Sequence, residues 1–297
     1  KNNTANDPAR SSAVPNQIGT TSSKIKHVIY IVRENRTFDQ ELGSNGRGNA
    51  DPSLNLFGEE SAPNTRALAR QFTTFDNFYA DAEVSANGWN WVSQANSNPW
   101  SEEMWPSNYS GRGAPYPAEN NHPESRAKEH DSYFWEHLSK NNISFRNYGF
   151  YTTLDKKGKA HGVDKKILDP NTDHDFIGWS LDCPDSARSF APMAKNCGPK
   201  SRVDEWKSDF NKQLAKGSVP TVQLVRFGND HTQATKVGVP TPQAYVADND
   251  QAIGQLVETV SHSPIWKDTA IFLTEDDAQN GPDHVDAHRT IGEVISP

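Results

Sequence analysis

Long apolar runs are missing from this 297-residue chain. Nowhere do eighteen apolar residues stand together, so no segment reads as a transmembrane helix. Basic blocks are missing too. Thirty Lys and Arg stand against 38 Asp and Glu, a net charge of −8, so binding to nucleic acid by phosphate neutralisation is not expected. The opening residues, KNNTANDPARSSAVPNQIGTTSSK, are polar and lack the apolar core of a signal peptide, as they would in a mature secreted protein. Cysteine is scarce. Cys183 and Cys197 lack metal-site spacing, and a disulfide in an oxidising compartment and two free thiols both stay open. No internal repeat or compositional break forces a second domain. Hydrophobic residues make up 34%, and the mean hydropathy of −0.83 is low for a globular protein of 33.0 kDa. Aromatic residues are plentiful: eight Trp, thirteen Phe and eight Tyr can supply a core.

Residues 1–23 read as a disordered tail or linker. IKHVIYIV (25–32), TTFDNFYA (73–80), ISFRNYGF (143–150), TVQLVRF (221–227) and DTAIFLT (268–274) read as strands. Helices are expected over 63–72, from 87, over 132–142, over 201–217 and over 241–263. The 201–217 segment is the clearest, with Val203, Trp206, Phe210 and Leu214 on one face, Ser201 as cap and Gly217 as stop. Pro242 suits a first helical turn. Strands alternating with helices argue α/β: a mostly parallel central sheet with helices on both faces. Long polar segments at 38–62, 97–131 and 151–200 are placed to form loops over the carboxyl ends of the strands. EVISP (293–297) has the apolar content of a strand start. It is expected to leave an open edge that pairs with another copy or chain, or that belongs to a longer protein.

Four of these strands are followed by ionisable residues: RENRTFD (33–39), DAEVSANGWNW (81–91), GNDHT (228–232) and EDDAQNGPDHVDAHR (275–289). Parallel strands would bring these four clusters to one sheet edge. Glu275, Asp276 and Asp277 are consecutive, and an extended chain turns neighbours to opposite faces. A cation could draw in two of them; a solvated acidic turn is the competing account. Glu34 and Asn35 offer oxygen ligands or a plain turn. Such oxygens suit Mg, Ca, Mn or Zn. Ser85 stands at a helix start, where amide donors and the dipole favour an oxyanion and a phosphate, though N-capping is the commoner use. Its surroundings do not match G-x-S-x-G. His231, His284 and His288 could ligate metal or donate a proton, or bond within loops. His122, His161 and His174 are weaker candidates. Arg33, Arg36 and Arg289 could steady an anion or pair with nearby carboxylates.

Taken together and in order, ENRTFD, EVSANGWNW, NYSGRGAPY, LVRFGNDHT and EDDAQNGPDHVDAHR resemble the bacterial phosphoesterase family of phosphatidylcholine-type phospholipases C and metal-dependent acid phosphatases. That family lies within the alkaline-phosphatase-like superfamily. The resemblance runs from residue 25 to about 289. It implies one phosphoesterase domain over 24–297, and it implies a divalent metal on Glu34, Asn35, Asp276 and Asp277 that also contacts a nucleophilic Ser85. It implies His231 as proton donor and gives His288 a less certain catalytic part. A second metal on Asp230, His231 and His288 is a lesser reading, because Asp230 and His231 are adjacent. The family extends past the histidine–arginine motif, so the domain is expected to be incomplete at its C-terminus. The implied activity is hydrolysis of phosphate esters, soluble or on a phospholipid headgroup, by an extracytoplasmic bacterial enzyme, with a second domain or oligomer as partner. A degenerate phosphoesterase that binds an envelope ligand is the alternative. The C/S-x-P-x-R context of sulfatases is absent around Ser85.

Overall fold

The computed structural model describes residues 13–15, 19–119, 133–187, 197–278 and 281–297. In chain order it has β1 (His27–Arg33), α1 (Phe38–Leu42), α2 (Pro63–Gln71), β2 (Thr73–Thr74), α3 (Ser85–Gln94), α4 (Pro99–Tyr109), α5 (Phe134–Lys140) and β3 (Phe145–Tyr148). The hairpin β4 (Thr152–Leu154) and β5 (Ala160–Gly162) follows, then α6 (Arg202–Lys216), β6 (Val222–Arg226), α7 (Pro242–Ser261), β7 (Thr269–Glu275) and β8 (Gly292–Ile295). Six strands form one sheet in the order β2-β8-β7-β1-β6-β3. β1 pairs in parallel with β6 and β7, and β3 in parallel with β6. β8 is antiparallel to both β7 and β2, so it alone runs against the rest.

Period-2 alternation in the strands builds two apolar layers. Ile29, Ile31, Val225, Ile271 and Leu273 face α6 and α7, packing on Val203, Trp206, Phe210, Ile253 and Leu256. Val32, Val222 and Leu224 face the other way, onto Trp89 of α3, Trp135 and Leu138 of α5, and Phe150 and Tyr151. Burying one such large side chain contributes about 1.5–3 kcal/mol. The α/β architecture read from the sequence is therefore present, with helices on both faces. The Ser201 hydroxyl caps α6 by accepting from Asp204 N, and Gly217 ends it at φ 62°.

Two expectations need correction. The strand expected over 73–80 shrinks to Thr73–Thr74, because Asp76 and Asn77 form a turn that breaks the ladder and leaves Phe75, Phe78 and Tyr79 exposed. β2 still runs with the central strands, so the segment after it leads to the same sheet edge. The open edge expected at 293–297 is also not found. β8 lies between β7 and β2, and Ile295 is buried. Cys183 and Cys197 form a disulfide. Of the expected tail, residues 1–12 and 16–18 lie outside the described residues, as does His122.

Candidate active site

β1, β6 and β7 end at the same sheet edge, and the residues just past them meet the start of α3. Asn35 takes a left-handed backbone (φ 64°), a conformation that short polar side chains tolerate. Ser85 is the first residue of α3, after Val84 at the cap. Its hydroxyl therefore points out of the helix start. Oγ lies 3.3 Å from Glu34 Oε2, 3.3 Å from Asn35 Oδ1 and 3.0 Å from Asp277 Oδ2. One hydroxyl has one proton, so it cannot donate to all three acceptors together. The Ser85 hydroxyl is also among the influences that lower the Asp276 carboxyl pKa. The structure thus brings Glu34, Asn35, Ser85, Asp276 and Asp277 together.

Local packing fixes this arrangement. Gly88, one turn into α3, rests against the Asp276 backbone; a Cβ there would lie 2.5 Å from the Asp276 carbonyl oxygen. The end of β7 at Glu275 and a bend at Asp276 sort the acidic triplet. Glu275 turns away and accepts from Arg33 Nε (2.8 Å) and Nη2 (2.5 Å), while Asp276 and Asp277 remain on the Ser85 side. Glu34 Oε1 accepts from Arg226 Nε (2.9 Å), Arg226 Nη2 (2.7 Å) and Trp89 Nε1 (3.2 Å), which leaves Oε2 toward Ser85. The Arg226 guanidinium also pairs with Glu119 and lies 4.0 Å and 5.0 Å from the ring centres of Trp89 and Trp179. Burial opposes its charge, but Glu119 and Glu34 more than offset that and raise its pKa. For Asp276, burial and then the charges of Asp277 and Glu34 push the carboxyl well above the usual carboxylate range.

Five oxygen donors, three of them buried carboxylates held near one arginine, suit a hard or borderline divalent cation. The donor chemistry fits the metal that the sequence implied.

The histidines divide. His231 sits on the turn after β6, its Nδ1 2.8 Å from the Thr232 carbonyl and its ring edge-on to Trp179 at 5.1 Å. A carbonyl only accepts, so Nδ1 is the donor in that hydrogen bond. Trp179 touches both Arg226 and His231, and so links His231 to the arginine that holds Glu34. His288 is placed differently. Nε2 faces Glu83 (2.9 Å) and Nδ1 faces Asp286 (3.0 Å), and Glu83 leads the causes that raise its pKa. The structure does not bring His288 to the Ser85 hydroxyl. Nor does it gather the lesser second-metal set, because Asp230 accepts the Glu34 amide (3.1 and 3.2 Å) and sits beside Arg33. His284 Nδ1 lies 2.5 Å from buried Asp39 and pins the 281–289 segment to α1.

Arg33, Arg36 and Arg289 are all used internally. Arg33 binds Glu275 and Glu41, Arg36 the carbonyls of Asp230 and His231, and Arg289 the side chains of Asp39 and Asp283. Sequence reasoning missed Arg226, Trp89, Trp179 and Glu119. A signal for Arg226 existed: a charge ending the apolar run TVQLVRF must find a buried partner.

The sequence model of the Phosphoesterase family matches residues 44–292, a span that includes Ser85, Asp276 and Asp277 and starts after Glu34 and Asn35. No curated protein matches the chain. Among solved structures, an alkaline phosphatase superfamily protein from Vibrio parahaemolyticus aligns at 15% identity and TM-score 0.54, over 93% of this chain and 61% of that one. The phosphonate monoester hydrolase of Agrobacterium radiobacter aligns at 12% and 0.53, over 92% and 68%. The lipoteichoic acid synthase LtaP of Listeria monocytogenes aligns at 12% and 0.51, over 92% and 65%. These likenesses establish the alkaline-phosphatase-like fold, and the chain spans under two thirds of the first of them.

Proposed function

The chain belongs to the Phosphoesterase family, a family of hydrolases acting on ester bonds, and from that premise we propose that it hydrolyses phosphate esters with Ser85 as nucleophile. The observation that carries this reading is the Ser85 hydroxyl at the start of a ten-residue helix, ringed by Glu34, Asn35 and Asp277. Glu34, Asn35, Asp276 and Asp277, with Ser85, would hold a divalent cation that stabilises phosphoryl charge and lowers the hydroxyl pKa.

The remaining chemistry belongs to the chain itself. Ser85 loses its proton toward Asp277, the nearest acceptor among its three hydrogen-bonded oxygens at 3.0 Å. It attacks phosphorus in line with the leaving alcohol, beneath the amide dipoles of α3. His231 protonates that alcohol, and water then clears the phosphoseryl group. Arg226 fixes Glu34 through two nitrogens, so its second oxygen stays directed at Ser85. Rate enhancement here comes mainly from charge placement and positioning. The disulfide supports an extracytoplasmic site of action. A phospholipid headgroup and a soluble monoester or diester are the candidate substrates.

Metal analysis of the full chain, with turnover of p-nitrophenyl phosphate and bis(p-nitrophenyl) phosphate, tests the reading. Ser85→Ala should lower turnover by at least about 10³-fold while metal content and melting temperature are kept. Undiminished turnover would remove Ser85 from the mechanism. Bound metal without turnover of any ester would favour the ligand-binding alternative.

A further inference from the structure

A second group of metal-ligating side chains lies in the loop between β3 and α6 and shares no residue with the Ser85 site. His161, on β5, places Nδ1 3.2 Å from Asp169 Oδ1. His174 places Nε2 3.6 Å from the same oxygen and 3.3 Å from the Asp169 carbonyl. The two imidazole rings lie 4.5 Å apart. The backbone builds this convergence. Gly162 N donates to Asp169 Oδ1 at 2.8 Å, and Ala160 N donates to the His174 carbonyl at 2.8 Å. A Cβ on Gly162 would lie 2.7 Å from Asp169 N, so glycine lets the hairpin sit on the 169–171 turn.

We propose that His161, Asp169 and His174 form a second divalent-metal site, of the imidazole-rich class that takes Zn²⁺. With metal–nitrogen and metal–oxygen bonds near 2.0–2.1 Å, a tetrahedral ion separates neighbouring ligand atoms by about 3.3 Å. The His161 Nδ1–Asp169 Oδ1 and His174 Nε2–Asp169 Oδ1 separations, 3.2 and 3.6 Å, lie near that edge, and the three ligand atoms all lie within 4.8 Å of one another. Two histidines and a carboxylate are borderline ligands that favour Zn²⁺-type ions, whereas the Ser85 site offers oxygen alone. The His174 side chain is 44% exposed, so water reaches the remaining coordination position. An ion there ties the β4–β5 hairpin to the 169–174 segment. Asp155 lies 3.6 Å from His161 Nε2, on the side of the ring where carboxylates behind metal-bound imidazoles commonly stand. Lys165, 3.7 Å from Asp169 Oδ2, is the competing cation that an ion must displace or tolerate.

Co²⁺ is the probe. The full chain is stripped with chelator and titrated with Co²⁺ while visible ligand-field bands and bound equivalents are recorded. The wild type should show the strong bands of a tetrahedral, nitrogen-containing site. His174→Ala should lose those bands and one equivalent of metal. Asp277→Asn should keep the bands, which separates this site from the Ser85 site. Absence of bands in the wild type, or identical bands and stoichiometry in His174→Ala, overturns the proposal. His161→Asn, checked for folding by circular dichroism, provides the same readout if His174→Ala does not fold.

Discussion

Glu293 is a carboxyl group in the wrong surroundings. It lies on β8 between Thr74 and Leu273, is 2% exposed, and neither side-chain oxygen has a hydrogen-bond partner among the described residues. Burial, then the charges of Glu41 and Asp250, push its pKa up to about 8 against an ordinary 4.5; Arg33 pulls the other way but is committed to Glu275 and Glu41. A carboxyl raised on folding contributes its full stability below about pH 4.5 and loses it as pH climbs through about 8. At pH 7 the folded group is still mostly protonated, while the unfolded one is ionised by about 2.5 units. At about 1.4 kcal/mol per unit, this costs about 3 kcal/mol relative to acid, approaching about 5 kcal/mol above pH 8. Glu293→Gln keeps the shape and removes the titration. Urea unfolding of both proteins from pH 4.5 to 8 should show the variant gaining about 3 kcal/mol on the wild type by pH 7. Groups that do not interact with Glu293 titrate alike in both proteins and cancel. A stability difference constant within about 0.5 kcal/mol across that range would refute the reasoning.

Arg226→Met leaves Glu34 and Glu119 without their buried cation and should cost about 3–5 kcal/mol in chelator-stripped protein; unchanged urea stability would show that the pair is not held as described. Gly88→Ala drives a methyl group to 2.5 Å from the Asp276 carbonyl oxygen. That overpacking should cost about 1–3 kcal/mol and lower kcat/KM for a chromogenic ester, and unaltered kinetics would mean that α3 is not positioned through this contact.

How far the sequence could be read depended on the range of the interaction involved. The apolar, β-branched run in HVIYIV is a local signal, so β1 was legible as a buried strand before any partner was known. The α6 boundaries were legible for the same reason, from Ser201 and Gly217 alone. The convergence of Glu34, Ser85 and Asp277 was legible because each follows an expected strand, and strand polarity carries all three to one edge. What escaped was set by the partner. TTFDNFYA has the composition of a strand, yet its pairing depended on β8, some 220 residues later, and the Asp76–Asn77 turn decided how much of it could pair. Arg226 looked like the trailing end of a strand until Glu34, Glu119 and two tryptophan rings surrounded it. His288 read as a ligand by residue type, whereas the neighbouring carboxylates Glu83 and Asp286 engage both its nitrogens.

The charge density of EDDAQNGPDHVDAHR is divided among separate partners. Five carboxylates lie between residues 275 and 286, and their mutual repulsion would destabilise the segment if they shared one environment. Glu275 goes under the site to Arg33, Asp283 to Arg289, and Asp286 to His288. Arg289 and His284 in turn hold Asp39, which fastens the segment to α1. Only Asp276 and Asp277 stay on the Ser85 side, with Glu34 as the third carboxylate. Three of the five carboxylates are thus engaged by fixed side chains that tether the loop, and Asp277 is the one within hydrogen-bond distance of the Ser85 hydroxyl. A segment this acidic can follow a buried strand because Glu275 and Asp283 each meet an arginine and Asp286 meets His288, which leaves Asp276 and Asp277 on the Ser85 side.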